Sequence, residues 1–150
     1  VKTAAVPVLD RGRVDAVLAS FVGRLTQVPP AFSAAKVRGR PLYWWARRGE
    51  RPSAPAKTVE IFSVELLACD GGQLRCRVEC SAGTYIRSLA EVVAERLGTV
   101  GHVSELTRTA VGTWELSQAI AVGQLQEATT QDAWNFVRPM EMFYAGAHRT

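Results

Sequence analysis

Two histidines, three cysteines and no extended apolar run leave several chemistries with little to work with in this 150-residue chain. The cysteines, Cys69, Cys76 and Cys80, are odd in number and lack CxxC spacing. That pattern argues against a disulfide frame or a zinc site and reads as reduced strand residues in a cytoplasmic protein. Of the histidines, His102 follows a glycine loop and is expected to be a structural hydrogen-bonding residue, while His148 falls in a tail expected to fray. No stretch approaches the length of a membrane span, and the first residues do not read as a signal peptide. Internal repeats and low-complexity segments are absent too, so neither a solenoid nor a disordered tract is expected. What remains is ordinary for a globular protein: 47% hydrophobic and 21% charged residues, in a length that suits one domain with its own core.

The net charge of +4 is modest, but its distribution is uneven. From Lys36 to Lys57 seven basic residues (Lys36, Arg38, Arg40, Arg47, Arg48, Arg51, Lys57) face one acidic residue, Glu50, so this segment carries +6 and the remainder −2. Tyr43, Trp44 and Trp45 lie within it. Basic residues interleaved with aromatics suit a phosphate backbone with unstacked bases. A solvated helix face with Trp45 in the core fits the same spacing.

Local patterning sets the expected elements. Asp10 is placed to cap a helix over Arg11 to Val22, with Gly23 ending it. Residues 25–34, with Pro29 and Pro30, must be extended or turned, and Pro41 suits the start of a short helix carrying Leu42, Trp45 and Ala46. A hairpin is expected from a strand near Thr58 to Ala68, a turn at Asp70-Gly71-Gly72, and a strand in which Leu74, Cys76, Val78 and Cys80 alternate with Arg75, Arg77 and Glu79. A helix with Ile86, Leu89, Val93 and Leu97 on one side then ends at Gly98. A strand near His102 to Val111 follows, then a helical or irregular remainder with Ser117 as an N-cap and Pro139 as a stop. The order predicts an α+β fold with a mostly antiparallel sheet flanked by helices.

The chain is organised around Cys80-Ser81-Ala82-Gly83-Thr84-Tyr85-Ile86-Arg87, where the alternating strand meets the amphipathic helix. Gly83 permits a sharp turn, and Ser81 or Thr84 is expected to cap the helix, leaving amides available to an anion. Tyr85 and Arg87 project from the first helical turn, a stacking phenol beside a guanidinium. On spacing alone this is equally an ordinary capped junction with a snorkelling arginine.

Taken in order, Gln27-Val28-Pro29-Pro30, Phe32-Ser33-Ala34 with Lys36 and Gly39, Leu42-Tyr43 with Ala46-Arg47 and Gly49, Cys80-Ser81 with Gly83-Thr84-Tyr85-Ile86-Arg87, and Gly98, His102, Leu106, Arg108 and Gly112 form an ordered series. That series resembles the later two-thirds of the catalytic domain of bacterial TruB-type tRNA pseudouridine synthases, over about Val14 to Ala119. The resemblance implies a pseudouridine synthase-like fold, with residues 1–150 as one domain forming the C-terminal portion of the catalytic domain. It implies an isomerase that converts uridine 55 in the T arm of tRNA to pseudouridine, without cofactor or metal, after flipping the base from the loop. An aspartate attacks the nucleoside in that family. Carried onto this sequence, Tyr85 contacts the flipped nucleotide, Arg87 pairs with the aspartate and holds it ionised, and Leu106 closes an apolar floor. Residues 31–56 match the family's thumb, whose Lys36, Arg38, Arg40, Tyr43 and Arg47 would meet the T stem-loop. Trp44 and Trp45 depart from the polar residue and tyrosine common there.

The family's nucleophilic aspartate sits in a Gly-rich motif farther upstream than the 26 residues preceding Gln27. Asp10 reads as a helix cap and Asp15 as an exposed helix residue. The nucleophile is therefore expected to lie outside this chain, in an N-terminal part before Val1 or on another chain, and Met140 to Thr150 is expected to be at most the stub of the family's small C-terminal domain for the acceptor end. An uncovered apolar sheet edge is expected beside the Asp70 hairpin. The complete protein is expected to be a monomer. A catalytically inactive RNA-binding module or tRNA folding helper fits the same residues, and a generic basic interaction domain is the third reading.

Overall fold

The computed structural model describes residues 3–138; Pro139, His148 and the whole Met140 to Thr150 segment lie outside the described residues. The chain forms two compact units, Val1–Ser104 and Glu105–Thr150.

The first unit begins with helix α1, Arg11–Ala19, capped as expected: the Asp10 carboxylate accepts the Arg13 N–H at 2.9 Å. The helix stops short of the expected Val22. Ser20 donates its hydroxyl to the Val17 carbonyl, and the Phe21 and Val22 amides bond to Leu18 and Ala19, tightening the last turn until strand β1, Gly23–Gln27, begins. A small hairpin of β2, Lys36–Val37, and β3, Arg40–Pro41, follows, then helix α2, Leu42–Ala46, in the place expected from Pro41.

Strands β4, Lys57–Asp70, and β5, Gln73–Cys80, make the long hairpin. Gly71 and Gly72 turn it with φ of 52° and 80°, the pair of positive angles that matches a two-residue turn to the strands' twist. β1 pairs antiparallel with the first part of β4, from Gly23 opposite Ile61 to Gln27 opposite Lys57, giving the order β1-β4-β5. Among the described residues the outer edge of β5 has no strand partner.

The apolar residues of β4 do not alternate strictly. Breaks in its register with β5, between Ile61 and Ser63 and between Leu66 and Ala68, step the phase by one residue each. Ile61, Val64, Leu66 and Cys69 thereby share one face, while Phe62 and Leu67 are exposed. Helix α3, Ile86–Arg96, is followed by Gly98 at φ 86°, as its C-cap signal predicts. Val14, Leu18 and Phe21 from α1 and its end, Leu89, Val93 and Leu97 from α3 and its cap, and Ile61 and Leu66 from β4 form the core. Two arginines hold the helices together there. Arg13 donates to the Leu97 carbonyl at 3.2 Å, and Arg96 donates to Ser20 Oγ and lies over the Phe21 ring.

The expected strand over His102 to Val111 shrinks to β6, Ala110–Val111, which pairs with β7, Trp114–Glu115, within the second unit. Residues 101–109 find no partner strand among the described residues, and an isolated extended segment has no ladder to join. His102 is exposed and outside any strand, with no side-chain hydrogen bond among the described residues, so the structural role expected for it is not seen. A 3-10 turn, Leu116–Gln118, is capped by Glu115 rather than Ser117: the Gln118 side chain accepts the Glu115 N–H, and Ser117 donates to the Glu115 carboxylate. Helices α4, Val122–Glu127, and α5, Thr130–Trp134, complete the described part. The fold is α+β, with a mostly antiparallel arrangement of strands.

Candidate nucleic-acid interface

The junction between β5 and α3 is built differently from the expectation that Ser81 or Thr84 caps the helix. Ser81 extends the β4 pairing: its amide donates to the Glu60 carbonyl at 2.8 Å, and its Oγ accepts the Glu60 N–H at 2.9 Å. Thr84 turns back and donates its hydroxyl to the Ser81 carbonyl at 2.8 Å, across a bend that Gly83 makes at φ 85°. The residue at the N-cap position is Tyr85, extended at φ −95° and ψ 97°, and its side chain makes no capping bond.

The Tyr85 amide is not left for an anion. Its N–H donates to Gln27 Oε1 at 2.9 Å, and Gln27 Nε2 donates to the Tyr85 carbonyl at 3.4 Å. Gln27 is 7% exposed, at the last position of β1. In the sequence Gln27 stands out only as part of the Gln-Val-Pro-Pro series, and this contact is not foreseen there. The available signal is its phase: two residues after Leu25, it puts a polar side chain on the inward side of the strand, where an amide must find partners.

Arg87, in the first turn of α3, is exposed and donates from Nη2 to the Phe32 carbonyl at 2.8 Å. The ion pairs among the described residues are Arg11 with Asp15, Arg24 with Glu60 and Arg77 with Glu65, so Arg87 has no carboxylate partner there. Tyr85 and Arg87 are thus both tied to one short stretch, Gln27 to Phe32, stiffened by Pro29-Pro30. Leu106 is 62% exposed and belongs to the second unit.

That same stretch leads into the basic segment. Arg38 and Gly39 turn the β2-β3 hairpin with φ of 50° and 74°, which puts a non-glycine residue in a left-handed conformation at the tip. Helix α2 is held beneath by backbone bonds from Leu42 to Ala35 and from Tyr43 to Ser33. Leu42, 3% exposed, anchors it, and Trp45 donates its indole N–H to the Val37 carbonyl at 3.1 Å. Trp45 therefore ties hairpin to helix. Trp44 packs edge-on against Trp45 and carries two guanidiniums, Arg48 at 3.6 Å and Arg40 at 5.4 Å from its ring, while Arg47 lies over Tyr43 at 5.6 Å. Lys36, Arg38, Arg40, Tyr43 and Arg47 are all exposed on this element. Aromatic rings thus hold arginines beside one another on a face open to solvent, where phosphates can meet them.

Each of the four aspartates has a structural position. Asp10 caps α1, Asp15 pairs with Arg11 at 3.7 Å, Asp70 enters the hairpin turn, and Asp132 accepts the Thr129 hydroxyl in the second unit. The three cysteines are free thiols, and burial, followed by the charges of Asp15 and Cys69, raises the Cys76 pKa, which keeps it a protonated packing residue. Among the described residues no group of three or more His, Cys, Asp or Glu could hold a metal, and no helix is long and apolar enough to cross a membrane.

Residues 1–86, through the basic segment to the junction, match the model of the TruB family pseudouridylate synthase N-terminal domain. A tRNA pseudouridine synthase B from Burkholderia lata is 43% identical over 127 residues, covering 83% of this chain and 39% of that protein. Its counterpart from Streptococcus pneumoniae serotype 4 is 38% identical over 146 residues, 94% of this chain and 50% of the relative. Among solved structures, a chain in a Cbf5-Nop10-Gar1 complex superposes with a TM-score of 0.68 at 26% identity, over 91% of this chain and 39% of that one. The chain spans half or less of the length of these relatives. With more than half its residues matched by the family, and the basic segment and the junction as far as Ile86 inside the match, this chain belongs to the TruB family of pseudouridylate synthases.

Proposed function

We propose that this chain is the C-terminal portion of the catalytic domain of an enzyme that isomerises uridine to pseudouridine in the T arm of tRNA, at position 55. Residues 31–56 act as a thumb on the T stem-loop, with Lys36, Arg38, Arg40 and Arg47 at phosphates and Tyr43 against the RNA. The target base leaves its stack and meets Tyr85, with Leu106 as an apolar floor. Arg87 orients the nucleophilic aspartate, which is not among the residues of this chain. The complete protein works in the cytoplasm as a monomer, without cofactor or metal.

The observation that supports this reading best is the shared tether. Gln27, just before the thumb, and Phe32, at its start, hold the two residues that would face the base and the carboxylate. A grip on the stem-loop and a site for its flipped base are then parts of one piece of backbone. The alternative, a catalytically inactive RNA-binding module or folding helper, draws on a different observation: the four aspartates serve capping, pairing or turn positions, and none is ion-paired with Arg87 among the described residues.

Replacing Arg40 and Arg47 by Ala should weaken T stem-loop binding and flatten the salt dependence of log K by about 1.5, since every phosphate that goes unneutralised takes roughly 0.7–0.9 off the slope. Titrations at several salt concentrations check it; an unchanged slope would remove the thumb from the interface. In a protein that includes the upstream aspartate, Arg87→Lys should slow single-turnover isomerisation by roughly ten- to a hundredfold while RNA affinity stays within about threefold, because an ammonium cannot make the planar two-point contact. Loss confined to binding would exclude the orienting role.

A further inference from the structure

We propose that Gln27 is a positioning residue for Tyr85, its buried amide setting where the tyrosine ring meets the flipped base; this rests on the pocket reading above. Tyr85 sits at the N-cap of α3, where its N–H has no partner within the helix, while its carbonyl already accepts the Leu89 N–H at 3.0 Å. The helix therefore fixes one side of the Tyr85 peptide and leaves the other to be fixed from outside. Gln27 does this with two antiparallel hydrogen bonds, acceptor to the N–H and donor to the carbonyl, the arrangement that a neighbouring strand residue would make with its backbone.

The choice of residue follows from that geometry. β1 ends at Gln27, and Val28-Pro29-Pro30 carries no usable backbone donor at either proline, so the strand itself cannot continue alongside the junction. A side-chain amide supplies the same donor and acceptor pair from the last strand residue. The side chain is 7% exposed and so sits in a fixed environment, whereas Tyr85 is half-buried. Its tie runs to β1, the strand from which the thumb departs. Movement of the thumb base would therefore reach Tyr85 through Gln27, with the Arg87 bond to Phe32 as a parallel connection.

The test uses the 150-residue chain with a T stem-loop RNA carrying 2-aminopurine beside the target uridine, whose fluorescence rises when the uridine leaves the stack. Gln27→Ala should leave the RNA Kd within about threefold but lower the flipping signal about tenfold, and the Tyr85 amide should exchange with solvent at least about tenfold faster once its acceptor is gone. Gln27→Glu provides a second arm that keeps the side chain's size. Burial raises the pKa of a carboxyl, and only the neutral acid offers both an acceptor and a donor, so the signal should be near wild type at about pH 5.5 and lost at about pH 8. Parallel loss of binding and flipping in both variants, with no recovery at low pH, would overturn the positioning role. A wild-type chain that binds RNA without a flipping signal would instead overturn the pocket reading; Tyr85 exchange then decides the tether alone, and an unchanged rate in Gln27→Ala refutes it.

Discussion

Incubated with tRNA, the 150-residue chain should yield no pseudouridine, and joining it to an upstream segment that carries the family's aspartate should restore the product. The proposed chemistry uses a carboxylate that attacks the nucleoside and later leaves; guanidinium, phenol and aliphatic groups position a base but cannot form and release that bond. Loss of a covalent nucleophile lowers the chemical step by an order of 10⁴–10⁶, which puts product below detection. Asp10 is the side-chain N-cap of α1, and Asp15 lies on its exposed side with Arg11. Recruiting Asp10 would cost the helix its start, about 1 kcal/mol, before any chemistry began. Nucleoside analysis after complete digestion reads the outcome. Pseudouridine from the chain alone would mean that one of these aspartates does act, and that Arg87 is not the carboxylate's partner.

The second large effect is on stability. Ile61 is fully buried, at the point where β4 meets Gly23 of β1 and Cys80 of β5, and its side chain enters the core with Val14, Leu18 and Leu97. Ile61→Ala should cost about 2–5 kcal/mol through lost transfer energy and the cavity left behind, a large part of the roughly 5–15 kcal/mol that stabilises a typical domain. Its neighbour Phe62, although larger, is 51% exposed on the opposite face, and Phe62→Ala should cost only about 0.5 kcal/mol. Urea unfolding of both variants compares them directly. Equal losses would show that the step in register after Ile61 is misplaced, because that step is what puts the isoleucine inside and the phenylalanine outside.

Much of the first unit was legible from local pattern. Asp10 before an amphipathic run, two glycines between alternating strands, and Gly98 after Leu97 each specify backbone geometry within a few residues, and each element formed where its signal stood. Pro41 likewise marked α2, and the density of arginines with tryptophans marked the basic segment without reference to any tertiary neighbour. Such signals work because capping, turn conformation and periodicity are short-range properties of the chain. The same reasoning failed for residues 101–109, where extended character without a partner strand produced no strand.

Other features depended on residues far apart in sequence coming together. Whether Ser81 caps a helix or satisfies Glu60 was settled by β4 lying beside it, 21 positions away. Phe62 and Val64 have equal claims to the core by composition, and the register with β5 chose between them. Gln27 lies 58 residues from Tyr85, and Phe32 lies 55 from Arg87. By itself, then, the sequence determined α1, α2, α3 and the long hairpin, the charge of the basic segment and the family series that carries Tyr85 and Arg87. Only the tertiary structure decided that one proline-stiffened stretch holds both residues, because a buried polar group takes whichever partner folding brings within about 3 Å, and no local pattern encodes that meeting.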